Sequence, residues 1–569
     1  MNKKKLLIVV ATVFLLTSCD DTPNEVNNCN FDYKTTTEKF DVVINNGRVM
    51  DPECDFDGVR NVGITNGKIA TITGERISGV EEINATGHVV TAGFIDTQAH
   101  SAGTLWGAKV GLRDGLTTPM DFELGAINID KWYAERENNF PVNYGTVVSH
   151  EYHRMKILDK IKMDKPYDAQ KFVMLRGESY KENDIPDWAV TPASLEQLNE
   201  ILKNMDTDIR AGALGVGSTV GYMAKGVTTF ELFKAHEVAA NYKKTFAAHV
   251  RFLGNTKPPT EGTLGAIEII TNGIALNSPT LVSHNHSHGW WEIEERLQLL
   301  RDQGYNVWSE YYPYHCGSTS IGSEFLKPDV IDTLGAGYKD MVNPITGKNM
   351  NQKEYEKLVK KDPAFIVIMC LDAKKEWINY WLNTPHMTMA SDAMPVFDKD
   401  GKELTWDSPY EAYSGHPRTA GSRARSLRLA REQGVPLMHT LKQLSYWSAK
   451  HLGDAGIEAM KIRGRMQVGM VADIVVFNPK TVTDNADYKL GKNGLPSTGI
   501  PYVLVNGTIM VKDSVVQNKK AGQPIRYPAT KESKLKHLDK KSYLGDILIQ
   551  VPDIDDHGAG EVKNNDTKK

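Results

Sequence analysis

Six residues in the middle of this chain have the types and spacing to hold and use a metal ion. His100 ends the run TAGFIDTQAH, Asp121 and Glu123 fall in TTPMDFELG, His249 ends TFAAHV, His284 ends TLVSH, and Asp392 ends MTMASD. Each alone says little. A histidine at the end of an apolar run is usually hydrogen-bonded in place, and an aspartate there often caps the next helix. Their series at the ends of successive apolar runs is what points to a metal site. Imidazoles and carboxylates without a thiolate cluster suit a catalytic zinc or similar first-row ion with one position open to water. Such an ion lowers the pKa of bound water to about 7. A nearby carboxylate, here Asp392, can take that proton and deliver it to a departing amine. Asp121 and Glu123, two apart on a strand, would point to the same side. Glu123 is taken as the ligand, with Asp121 the competing choice. His286 and His288, in HNHSHG, share a face with His284 if the strand continues and are loop residues if it has ended.

The elements that must position these residues follow from periodicity. Residues 93–458 alternate short apolar strands with amphipathic stretches such as SLEQLNEILKNM. Repeated βα units of this length make an α/β fold, a TIM-like parallel (β/α) barrel whose functional residues sit at the carboxyl ends of the strands. An open doubly wound sheet is the alternative, but no Gly-x-Gly-x-x-Gly or P-loop follows any strand. Residues 316–372 break the rhythm and read as an insertion over the barrel mouth. Strand-like segments FDVVINNGRVMD and NVGITNGKIATITG near one end, and ADIVVFNP and YVLVNGTIMVKD near the other, carry Asn-Gly hairpin signals. They predict a small β-sandwich domain built from residues 38–92 and 459–530. A polar Lys/Asp-rich stretch, 531–569, reads as a loosely attached tail.

At 569 residues the chain needs more than one core. Its 40% hydrophobic and 24% charged residues, with a mean hydropathy of −0.39, match a soluble globular protein. A net charge of −4 and no basic patch give no case for nucleic acid. Lys3, Lys4 and Lys5 precede an apolar run from Leu6 to Leu16, then Thr17, Ser18 and Cys19. This has the form of a bacterial lipoprotein signal: a signal peptide over 1–18, lipid on Cys19, and a polar tether over 19–37. The expected location is outside the cytoplasm, periplasm or cell surface, on a membrane through the lipid. Export permits disulfides, and Cys29 with Cys54 is the expected pair. Cys316 and Cys370 show no zinc-cluster spacing. Oligomeric state is not readable.

Taken together, AGFIDTQAH, RDGLTTPMDFELGA, KWYAERE, GALGVGSTVGY, HVR, SHNHSHG, YYPYHCGSTSIGS, SDAMP, HPRTAGSRAR and GRMQVGMVADIVVFNP with YVLVNG resemble, in order, the amidohydrolase superfamily. Within it they resemble the N-acyl-D-amino-acid deacylases, the D-aminoacylase and N-acyl-D-glutamate deacylase branch. The resemblance implies a seven- or eight-stranded barrel. It places Glu123 as the metal-bridging residue, His249 and His284 at the tighter metal position, and His100 at a weaker one. Asp392 would be general base and then acid. Arg418 and Tyr314 would hold the substrate carboxylate and acyl portion, with a structural ion pair as the competing role for Arg418. His286 is a further substrate-side candidate. The family carries a His-x-His at the first strand, and this chain has Gln98 in the first place. An amide is a far poorer zinc ligand than imidazole, so one tightly held Zn2+ and a weak or empty second position are expected. The implied reaction is hydrolysis of the amide bond of N-acyl-D-amino acids, D-glutamate-like among them. Alternatives are a cyclic amide or imide substrate, or a tethered ligand-binding protein that has lost catalysis.

Overall fold

The computed structural model describes residues 29–33, 39–182 and 186–539. The expected signal peptide, Cys19, most of the tether and the tail beyond residue 539 lie outside the described residues. Among the described residues no helix is long and apolar enough to cross a membrane.

Eight parallel strands form the central sheet: β1 (Phe94–Asp96), β2 (Leu116–Ala126), β3 (Gly145–Ser149), β4 (Gly215–Ser218), β5 (Thr245–Ala248), β6 (Thr280–Val282), β7 (Val307–Tyr311) and β8 (Met387–Met389). They pair in sequence order, and a parallel bridge between Ala99 and Ala393 brings the two edges together as a barrel. Helices fill the outside. Helix Leu195–Arg210 is typical: Ser194 and Gln197 form a capping box at its start. Leu198, Ile201, Leu202, Met205 and Ile209 make one buried stripe at helical spacing. Burying each such side chain contributes roughly 1.5–3 kcal/mol, so a charge at Ile201 would break the contact.

The barrel floor is sealed from an unexpected direction. Residues 522–527 run under the strand starts, with Ile525 N–H donating to Tyr144 C=O and Tyr527 N–H to Gly212 C=O. Ile525 joins Val147, Leu214, Ala247, Leu281 and Trp308 in one core cluster. Residues 521–530, expected in the small β domain, therefore serve the barrel. The tail is also not loose at its start: Asn199 donates to Leu538 C=O and Ser533 to Asp206. Leu538, 9% exposed, is the apolar anchor that the polar composition hid.

The small domain is one nine-stranded sheet drawn from both ends of the chain. Strand Val89–Ala92 pairs antiparallel with Ile474–Phe477, stitching the two halves together. The long strand Phe40–Asp51 pairs with Gly79–Asn84 along its first part and with Val89–Ala92 further on. Val42, Ile44, Val62, Ile72, Val90, Ile474 and Leu504 gather in the core. Asn66-Gly67 and Asn506-Gly507 adopt positive φ at hairpin turns, as their sequence predicts. Asn46-Gly47 does not turn the chain. It lies inside its strand at a bulge, where a Cβ on Gly47 would come within 2.3 Å of Val90 Cγ2. Cys29 and Cys54 are joined by a disulfide beside this sheet.

Between β7 and β8 the chain builds a four-stranded antiparallel sheet (Cys316–Ser320, Met341–Asn343, Lys348–Asn349, Ile366–Cys370) and the helix Gln352–Lys361. It has its own core of Ile321, Leu326, Met341, Tyr355, Val367 and Met369. A second disulfide, Cys316–Cys370, ties the ends where this insertion leaves and rejoins the barrel.

Candidate metal centre and catalytic cavity

The site begins with an irregularity in β2. Asp121 faces Thr146, but the next paired residue, Ala126, faces Val148, so residues 122–125 bulge out of the ladder. Asp121 Oδ1 holds the bulge by accepting from the backbone N–H of Glu123 and Leu124, each at 3.0 Å. Gly125, at φ 71°, completes it. Simple alternation therefore does not govern Asp121 and Glu123. The bulge sends Glu123 into the barrel mouth, while Asp121 Oδ2 lies 2.9 Å from His100 Nδ1. A carboxylate behind an imidazole fixes its tautomer and aim, which makes Asp121 a positioning residue.

Glu123, His249 and His284 converge. Glu123 Oε1 lies 3.4 Å from His249 Nδ1, and Oε2 lies 3.1 Å from His284 Nε2. Ligand atoms around a tetrahedral zinc with bonds of about 2.0–2.1 Å stand roughly 3.3–3.4 Å apart, so the three side chains fit such an ion. All three are buried. Burial alone would raise the Glu123 carboxyl, but the facing His284 and His249 hold it well below the usual range. A second group, His100, Glu123 and Asp392, also brings its ligand atoms within 4.8 Å of one another.

Gln98 is fully buried, and its Nε2 donates to Glu123 Oε2, the same oxygen that faces His284. An amide donor thus engages one oxygen of the carboxylate that belongs to both ligand groups. Its own carbonyl oxygen has no hydrogen-bond partner. Asp392 follows β8 in a left-handed conformation, φ 49°. Its Oδ1 lies 3.2 Å from His100 Nε2 and its Oδ2 accepts from Arg418 at 2.8 Å.

These groups line a cavity of about 360 Å³ under the insertion. Glu123, His249, His284, His100, His286, Asp392 and Arg418 all reach its wall. β6 has ended before His286, which faces the cavity from a loop; burial, and then the Lys374 charge, lower its pKa well below the ordinary value. His288 stacks edge-on against Trp291 instead. Tyr314 is a correction: it packs against His416, with the Arg425 guanidinium over its ring, away from the cavity. Tyr312 is the tyrosine that lines the wall, with the Arg418 guanidinium 4.6 Å from its ring centre. The turn at Pro313, where Tyr314 N–H donates to Tyr312 C=O, exchanges which of the two faces inward.

Two buried groups escaped the sequence reading. Glu310, in mid β7, accepts from Thr97 at 2.5 Å; burial, aided by the Glu123, Asp392 and Asp121 charges, raises its carboxyl to about 8. Lys374 opens the helix Lys374–Trp381 just past the insertion and lines the cavity. Both carried a signal: a lone carboxylate within the apolar run NVWSEYYP, and a lysine directly after FIVIMCLDA.

No family model matches the chain. It is 22% identical over 517 residues to D-aminoacylase from Alcaligenes xylosoxydans xylosoxydans, covering 86% of this chain and 98% of that protein. It is 25% identical over 500 residues to N-acyl-D-glutamate deacylase of the same organism, covering 83% and 93%. Along most of its length the chain is similar to the D-aminoacylase branch of the amidohydrolases. Its fold matches that of N-acyl-D-glutamate deacylase from Bordetella bronchiseptica, solved with zinc and a phosphonate mimic of the tetrahedral intermediate, at a TM-score of 0.65 and 20% identity, covering 86% of this chain and all of that one. The chain has a barrel with a carboxylate–imidazole cluster at its mouth, and Gln98 stands beside that cluster.

Proposed function

We propose that the protein hydrolyses the amide bond of N-acyl-D-amino acids, releasing a carboxylate and a free amino acid. The observation that carries this reading is the Glu123–His249–His284 cluster with the Asp392 carboxylate beside it in one cavity. A zinc or similar ion held by those three side chains supplies a water acidic enough to give up a proton near neutral pH, and a positive centre for the amide oxygen.

The remaining work falls to the chain. Asp392, fixed by His100 on one oxygen and Arg418 on the other, takes the proton of the attacking water and hands it to the departing amine nitrogen. Arg418 presents its remaining N–H groups, Nε and Nη1, which have no partner, to the carboxylate of the amino-acid part. The insertion forms part of the cavity wall, and the burial of these side chains strengthens each polar contact. The two Alcaligenes relatives, by name, act on acylated D-amino acids, which supports the substrate class.

One tightly held ion is the stoichiometry favoured here, because Gln98 offers an amide in place of an imidazole and its Nε2 hydrogen-bonds the Glu123 carboxylate. Zinc is favoured as the ion by the donor set and by its presence in the Bordetella structure. The lipoprotein-like segment ending at Cys19 supports attachment to a membrane outside the cytoplasm. The two disulfides support an oxidising compartment.

Asp392→Asn tests the assignment. It should retain metal and cut kcat by about 10²–10⁴-fold, the range for a lost proton-transfer group. Unchanged turnover on N-acetyl-D-amino acids would end the role given to Asp392, and ligand binding without any wild-type turnover would make the protein a binder.

A further inference from the structure

The cavity wall carries four Lys or Arg side chains: Arg176, Lys225, Arg418 and Lys374. Three have carboxylate partners, Glu151, Glu324 and Asp392 respectively. Lys374 has none among the described residues. It is 8% exposed, and the partner of its Nζ is the Ser287 hydroxyl at 3.2 Å. Lysine is almost never buried unless paired. Lys374 also occupies the first position of its helix, where the helix dipole opposes a positive charge. Burial, and then the nearby Arg418 charge, push its pKa down to about 7. The Asp392 charge offsets part of this from a distance, but no carboxylate among the described residues pairs with the ammonium, so an anion from outside is its natural complement.

That anion is separable from the one assigned to Arg418. Arg418 lies at the reacting end, against Asp392 and over Tyr312. Lys374 enters from the insertion side beside Ser287, and Met369 and Leu371 of the insertion line the same cavity. Two cationic donors held by different elements suit a ligand with two carboxylates.

We propose that Lys374 is a specificity residue that binds the side-chain carboxylate of an acidic N-acyl-D-amino acid. The inference rests on the deacylase reading and narrows its substrate to the dicarboxylic class. The Ser287 hydroxyl holds the ammonium in place, and an anion arriving there completes its hydrogen bonds and restores its charge.

The test uses N-acetyl-D-glutamate and N-acetyl-D-glutamine, which are nearly isosteric and differ in charge. The wild-type protein should favour the acid. In Lys374→Met the ratio of the two kcat/KM values should fall by about 30-fold or more, the loss expected when one partner of a buried charged pair is removed. Lys374→Arg should recover part of the ratio. The Met variant should melt no lower than wild type, since it removes an unpaired buried charge, which confirms an intact fold. A ratio unchanged by Lys374→Met, or equal loss on both substrates, overturns the assignment. If the wild-type protein hydrolyses neither substrate, the deacylase reading fails by itself. Calorimetry with D-glutamate and D-glutamine then decides the present point: a preference for D-glutamate that Lys374→Met abolishes supports it, and equal binding of the two by wild type refutes it.

Discussion

Gln98→His should turn a one-metal site into a two-metal site. The group proposed for a second ion has one imidazole, His100, with Asp392 and Glu123, and Gln98 hydrogen-bonds that Glu123. The substitution adds an imidazole and removes the competing amide N–H. Structural zinc sites are worth about 10–16 kcal/mol over four ligands, or roughly 2.5–4 kcal/mol per ligand. That corresponds to about 10²–10³-fold in Kd for the second ion. His100 needs no reorganisation, because Asp121 already holds its Nδ1 at 2.9 Å. The measurement is zinc content after equilibrium dialysis against buffered zinc, on both proteins. Wild type should retain one equivalent and the variant two. Two equivalents retained by wild type would refute the reasoning, as would a second-site Kd that moves less than tenfold on substitution.

Other outcomes follow from features away from the metal cluster. Replacing Cys316 and Cys370 with serine frees a loop of 54-residue separation, which in the chain-entropy model costs about 4 kcal/mol. The loss should appear first as a raised KM, because Gly317, Met369 and Leu371 beside the disulfide line the cavity; unchanged KM and melting temperature would show that the bond does not hold the insertion. Lys244 donates to Ile209 C=O at 2.7 Å, and burial, aided by the Arg526 charge, lowers its pKa from 10.5 to about 7. Between pH 7 and 10.5 the unfolded chain therefore carries a proton that the native chain lacks, and stability should rise with pH by up to about 1.4 kcal/mol per unit. Lys244→Met should flatten that rise in denaturant titrations at pH 7, 8 and 9, and an unchanged slope would contradict the assignment.

The strand-end residues were readable because a parallel barrel puts chemistry where apolar runs stop, and His100, His249, His284 and Asp392 each follow such a run. What escaped was set by side-chain contacts across the fold. The bulge that aims Glu123 exists because Asp121 caps two backbone amides, a contact invisible to strand alternation. The choice of Tyr312 over Tyr314 turns on a bend at Pro313. The Cys316–Cys370 bond depends on two insertion strands pairing in a register that brings those residues opposite each other. Residues 521–530 read as a continuation of the small domain because nothing local records that Ile525 has a barrel to plug.

That plug has a bearing on how the chain matures. The barrel's lower opening is covered in part by a stretch that lies more than a hundred positions after the last barrel strand. A shortened copy ending before residue 522 would keep only Ala449, Leu452, Ile457 and Met460 of the residues after β8 in the core cluster that Ile525 joins. Such a fragment would leave more apolar surface bare at the barrel floor, which makes the docking of Ile525 and Tyr527 a late step in completing the fold.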